Sequence, residues 1–136
     1  MLLRRTLCHV ENYDFITVKT IILRNAETKA VVLTRVSLAV SVWERMRGLL
    51  GRRTLEEGEG MLFPDCRMIH TFFMQMAIDV VFLDADGRVL DIVSNLAPWR
   101  MAFCRKPGGR HTLELAAGGA ERQSIKIGDK LHLIDA

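Results

Sequence analysis

Residues 78–83, Ile-Asp-Val-Val-Phe-Leu, carry apolar side chains at both odd and even positions, so as a strand the run is apolar on both faces. Such a strand belongs inside a sheet that is covered on both sides. It is followed by Asp84-Ala85-Asp86-Gly87 and a second β-branched run over 88–93. Acidic turn formers plus a glycine free to take positive φ predict a tight reversal, and therefore a β-hairpin. The wider stretch 60–93 holds both the most apolar segment of the chain and its most unusual polar residues. An additional extended run is expected over 68–74.

The rest of the chain reads as short strands around that hairpin. Runs 18–24 and 29–36, joined by Asn25-Ala26-Glu27-Thr28, predict an opening hairpin. Ser41-Val42-Trp43-Glu44 matches a capping box, and Val42, Trp43, Met46, Leu49 and Leu50 then fall on one helical stripe before Gly51. Residues 55–60 are acidic and glycine-rich, the composition of a surface loop. Residues 94–109 hold Pro98, Pro107 and a Gly-Gly pair, and read as a long loop. Alternation predicts a strand over 111–115, a helical turn over 120–124, a turn at Gly128-Asp129 and a closing strand over 130–134. The expected fold class is mainly β: a compact antiparallel sandwich or barrel with one or two short helices. A loosely ordered arm over 1–17 precedes a single domain over 18–136.

With 136 residues, about half of them apolar, the chain can build a sizeable core. Its net charge of +3 conceals an asymmetry: residues 1–53 hold 10 Lys and Arg against 4 Asp and Glu, and residues 54–136 hold 9 against 12. The basic third has scattered charges without interleaved aromatics, so no nucleic-acid partner is expected. Arginines in 45–53 suit the negative end of the 41–51 helix, or offer a face to an acidic protein. No apolar run reaches a membrane-spanning length, and the opening residues lack the order of a signal peptide, so a cytoplasmic protein is expected. Three scattered cysteines do not make a disulfide scaffold.

Several polar residues need an explanation. Asp79 sits inside the most apolar strand, where an unpaired charge is costly; its expected partners are the amides or hydroxyls of His70 and Thr71, or Arg100, and the alternative to a site role is a buried carboxylate that ties loop amides together. Cys66 and His70 are four positions apart, about 13 Å along an extended strand, too far to share a metal unless the chain turns between them. With Cys104 and His111 they complete the set of possible metal ligands, and neither a metal nor another cofactor is expected. Cys66 can also act as a nucleophile with His70 as base, pack as a small apolar group, or oxidise with Cys104. Arg100 can bind a carboxylate ligand or pair with Asp79 or Glu114. Met68, Met74, Met76, Phe72 and Phe73 read as core and loop packing.

Ordered blocks of the sequence add a resemblance. Arg45-Met46-Arg47-Gly48-Leu49-Leu50-Gly51, Glu59-Gly60-Met61-Leu62-Phe63, Ile69-His70-Thr71-Phe72-Phe73-Met74, Ile78-Asp79-Val80-Val81-Phe82-Leu83, Leu113-Glu114-Leu115 with Gly118, and Ile127-Gly128-Asp129 resemble the family called domain of unknown function 192. The resemblance implies a compact β-rich domain with short helices and no established activity. Its motif positions include His70, Thr71, Met74, Asp79, Glu114 and Gly118. The expected function is therefore a non-enzymatic ligand-binding or accessory role, for a small polar ligand or a protein partner. Its site comprises His70, Thr71, Met74, Asp79, Arg100 and Glu114. The alternatives are a hydrolase or transferase using His70 with Cys66 or Asp79, and an interaction module using the 45–53 face.

Overall fold

The computed structural model describes residues 21–38 and 55–135. The arm over 1–17 and the predicted 41–51 helix with its arginines lie outside the described residues. Among the described residues nine strands and one short helix follow in order: β1 (Ile21–Asn25), β2 (Val31–Leu38), β3 (Glu59–Phe63), β4 (Met68–His70), β5 (Ile78–Leu83), β6 (Val89–Leu96), β7 (Met101–Phe103), β8 (His111–Ala116), α1 (Gly119–Arg122) and β9 (Leu131–Asp135). The protein is β-rich, as the periodicity predicts. Seven strands form one sheet in the order β6-β5-β8-β3-β2-β1-β9, and β4 and β7 form a separate two-stranded ribbon.

The large sheet is mixed, because β2 and β3 run parallel from Arg35 opposite Glu59 to Leu38 opposite Leu62, while its other neighbours are antiparallel. Among the described residues it does not close as a barrel. Its outer strands do meet at one end, where Arg88 bridges Lys130 and the Val89 amide donates to the Asp129 carbonyl at 2.8 Å.

The β5–β6 turn forms as its residues demand. The Asp84 carboxylate accepts from the amides of Asp86 and Arg88 at 2.8 and 2.9 Å, and Gly87 takes φ 86°. The opening hairpin also forms, with Asn25 Oδ1 accepting the Glu27 and Thr28 amides at 2.9 and 3.1 Å. Three expectations need correction. Residues 59–63 are a strand, not the tail of a loop, and Glu59 and Leu55 are buried. The extended run expected over 68–74 stops at His70, because the chain turns back at Thr71. The long loop over 94–109 loses its start and is interrupted in its middle: β6 continues to Leu96, and Met101–Phe103 pairs with β4.

β5 is buried along its whole length, as a strand apolar on both faces must be. Its odd residues Val81 and Leu83 join a core with Leu23, Leu33, Leu113, Leu115 and Leu131. Its even residues Ile78, Val80 and Phe82 face the ribbon and pack with Ile69, Met74, Ala102 and Cys104. The sheet thus has a layer on each side of β5, and the ribbon is the lid of the second layer.

Candidate functional site

Strand parity decides where the predicted site residues go. Asp79 lies opposite Leu115 on β8, on the face of the first core, whereas Glu114 lies opposite Val80, on the ribbon face. These two carboxyls therefore look to opposite sides of the sheet.

Asp79 is buried and fully engaged. Its Oδ1 accepts the amides of Asn95 at 2.8 Å and Gly118 at 3.0 Å, and its Oδ2 accepts the Ala120 amide at 3.0 Å. The expected partners His70, Thr71 and Arg100 are not the ones it has; it is instead the buried carboxylate that ties main-chain amides together, the alternative reading of the sequence. It ties the end of β6 to the turn that opens α1, and Gly118 supplies that turn's φ of 78°. A Cβ there would also come within 2.6 Å of Arg122 Nη1.

Thr71 is a second such tie. Its hydroxyl donates to the Ala97 carbonyl at 2.7 Å and accepts the Arg100 amide at 2.9 Å, while its own amide donates to the Arg100 carbonyl at 2.8 Å. Its carbonyl accepts the amides of Trp99 at 2.9 Å and Met74 at 3.2 Å. One residue thus clamps the loop that precedes β7 onto the turn that follows β4, and Met74 drops into the second core.

Glu114 is buried on the ribbon face, and burial pushes its pKa up to about 8. It is therefore mostly protonated at neutral pH. Among the described residues, Arg100 pairs with neither Glu114 nor Asp79; it is exposed, and its Nη1 donates to the Trp99 carbonyl at 3.2 Å.

His70 lies on the outward face of the ribbon, opposite Met101, and Met68 lies beside it opposite Phe103. Its Nδ1 accepts the Phe72 amide at 3.3 Å, and its ring stacks on Phe72 with centroids 4.9 Å apart. Phe72 stacks in turn on Trp99 at 6.0 Å, and Phe73 leans on Trp99 at 4.6 Å. Phe73 is 70% exposed and Trp99 55%. Packing was expected for the Met68, Met74, Met76, Phe72 and Phe73 group; Met74 is buried, but Met68 and Phe73 are turned outward. Phe73 and Trp99 also share a left-handed backbone, φ 65° and 63°.

The remaining candidates have local partners. Cys66 Sγ donates to the Met68 carbonyl at 3.0 Å and Cys104 Sγ to the Lys106 carbonyl at 3.4 Å; both thiols are free. His111 is buried, and its Nδ1 accepts the Asp65 amide at 3.1 Å; burial lowers its pKa. Among the described residues no three His, Cys, Asp or Glu side chains converge to hold a metal ion. One polar pair escaped the sequence reading. Asp91, buried in β6, accepts two bonds of 3.0 Å from Arg105 just beyond β7, and that arginine holds its carboxyl below the ordinary range. Its signal was an aspartate in a β-branched strand, the same signal that marked Asp79.

Residues 22–133 match the family DUF192, described as an uncharacterized ACR. The chain belongs to DUF192. Its relatives include a UPF0127 protein of Thermococcus sibiricus, 33% identical over 110 residues that cover 77% of this chain and 70% of that protein. A UPF0127 protein of Pyrococcus abyssi is 38% identical over 66 residues, 48% of this chain and 55% of its own length. The DUF192 fold here is similar to two crystal structures. One is a protein of unknown function from Novosphingobium aromaticivorans, with TM-score 0.70, 28% identity and 83% of each chain covered. The other is a putative transcription regulator from Sinorhizobium meliloti, with TM-score 0.72, 30% identity, and coverage of 85% of this chain and 92% of that one. No helix among the described residues is long and apolar enough to cross a membrane.

Proposed function

We propose that this DUF192 protein is a non-enzymatic accessory protein that binds a partner through the outward face of the β4–β7 ribbon. His70 and Arg100 supply its polar contacts, and Phe73 and Trp99 its apolar ones. Thr71 and Met74 hold that face in shape, and Asp79 and Glu114 position the sheet beneath it. The observation that carries this reading is the pair of large aromatic residues held at positive φ in solvent. Bulky side chains rarely take that conformation, and each instance costs about 1–3 kcal/mol. Nothing in the core offsets that cost by burying the rings, so an external contact is their natural use.

The hydrolase or transferase reading needs a nucleophile within reach of His70. Among the described residues its Nδ1 already accepts the Phe72 amide, Cys66 donates to Met68, and Asp79 serves three amides on the other face. No observation favours it.

The test places a photo-crosslinking benzoylphenylalanine at Phe73 or Trp99, and as a control at Ile127, which is 62% exposed outside the ribbon. The proposal expects adducts from 73 and 99 in the cells that make the protein, and none from 127. Equal formation of adducts, to protein or to lipid, at all three positions, or no adduct of either kind at any of them, would remove the binding role.

A further inference from the structure

The two segments that make the ribbon and its margins, 66–77 and 94–110, contain Arg67, Arg100, Arg105, Lys106 and Arg110 and not one Asp or Glu. Arg105 is paired with Asp91 and Arg110 with Asp65. Arg67, Arg100 and Lys106 are exposed, with no carboxylate partner among the described residues. Met68, Phe73, Trp99, Met101 and Phe103, in the same two segments, are each more than half exposed. Resting on the binding role proposed above, we infer that this face docks on an anionic lipid surface: the aromatic and methionine side chains enter the headgroup boundary, and Arg67, Arg100 and Lys106 meet lipid phosphates.

Charge and shape select that occupant over the others. A second copy seated on the same face by a two-fold axis would set these cations against their own kind with no carboxylate to relieve them. A helical peptide needs a groove, and this face projects instead. One concavity, of about 360 Å³, lies at Thr34, Arg35 and residues 56–59, away from the ribbon. Single-stranded nucleic acid stacks its bases on open aromatic faces, but His70, Phe72, Phe73 and Trp99 spend much of theirs on one another. A bilayer boundary requires no matching groove. It favours tryptophan and phenylalanine at headgroup depth, and basic residues beside them gain from anionic lipid. The Thr71 clamp and the Asp91–Arg105 pair hold the projecting side chains in place beforehand, so little ordering is lost on docking.

The experiment is flotation of the full chain with vesicles of phosphatidylcholine alone or with one third phosphatidylglycerol, at salt from about 0.05 M to about 0.5 M. Binding to the anionic vesicles at low salt is expected, falling steeply with added salt and much weaker on the neutral ones. Arg67→Gln and Arg100→Gln should each weaken it about fivefold. Phe73→Ser with Trp99→Ser should weaken it tenfold or more, roughly the loss of two interfacial anchors, and Ile127→Ser should leave it unchanged. Melting curves accompany each variant; if the double serine variant does not fold, the arginine variants decide. Absence of binding to anionic vesicles, or binding indifferent to these substitutions, overturns the lipid assignment, as does variant-sensitive binding of a single-stranded oligonucleotide or variant-sensitive dimerisation in its place. Protein adducts at 73 and 99 without vesicle binding would overturn the lipid surface and leave the binding role intact; absence of protein adducts, lipid adducts and vesicle binding together would remove that role itself.

Discussion

Asp79 takes three main-chain amides from two separate segments, so its removal strands one buried and two part-buried donors at once. Each bond to a charged acceptor contributes about 1.5–3 kcal/mol, and an unmet buried donor adds a penalty of its own. Asp79→Ala should therefore cost about 3 kcal/mol or more in urea unfolding, while Asp79→Asn, with one accepting oxygen in place of two, should recover only part of it. Thr71→Val keeps the shape and removes the hydroxyl; a loss of about 1–3 kcal/mol is expected, with the tilt between β4 and the loop before β7 relaxing. Glu114 makes the opposite kind of prediction. Its folded pKa of about 8 lies above its ordinary 4.5, so the folded state holds a proton that the unfolded chain releases. Its effect on stability is thus most favourable below about 4.5 and becomes a penalty as pH rises towards 8, at about 1.4 kcal/mol per unit of difference. Glu114→Gln should flatten that decline and leave the variant more stable than the wild type at pH 8 by up to a few kcal/mol. An unchanged slope between pH 5 and 8 would place the carboxyl in water.

Among the elements, the ribbon owes its position to side chains that stand outside its own two strands. Each strand is only three residues long, and a two-stranded ribbon of that size does not stand alone. It is held by Ile69 and Ala102 packing inward, by Thr71 at one end and by Arg105 on Asp91 at the other. Asp91's depressed pKa makes the arginine's contribution present at neutral pH and lost as the pH falls through that carboxyl's folded pKa, below the ordinary carboxylate range. Arg105→Gln should bring the titration of Asp91, followed by carboxyl NMR, back upward and loosen amide protection in β7 before β5. How far these elements could be read in advance follows from the same physics. Runs 78–83 and 111–115 and the Asp84 turn announce themselves because burial on both faces, alternation and turn chemistry are local properties. β3 opens on Glu59-Gly60, which reads as loop until Arg35 arrives, 3.5 Å from Glu59, from a strand 24 positions earlier. β7 hides between Pro98 and Pro107 because its pairing is set by Thr71, far away in sequence. For the site, an aspartate inside an apolar strand marked Asp79, while Thr71 and Glu114 stood out as expected partners of Asp79 and Arg100 and as motif positions of the resemblance. Strand parity separated them, and Phe73 and Trp99 carried no local sign of exposure, since an outward-turned aromatic is spelled like a buried one.

At the scale of the whole molecule, membership of DUF192 and likeness to two solved structures with TM-scores of 0.70 and 0.72 fix the architecture, and the surface distinguishes one side of it. The ribbon side carries cations and projecting apolar groups, whereas the cleft at residues 56–59 carries glutamates. Steady attraction of the ribbon side to negative surfaces should weaken with salt while global stability does not, a contrast that sedimentation and melting measure separately. The bridge between Arg88 and Lys130 adds one more consequence. The outer strands of an open sheet are templates on which foreign chains can grow fibrils. Here β6 and β9 are laced together where they begin, by backbone bonds among Gly87, Val89, Gly128, Asp129 and Leu131 and by the Arg88 guanidinium on the Gly128 carbonyl at 2.7 Å. Weakening that lacing with Arg88→Ala, which removes the guanidinium bond and keeps the backbone ones, should leave the native fold in place yet shorten the lag before amyloid dye uptake on mild heating, with the loosened ends of the two strands as the seeds.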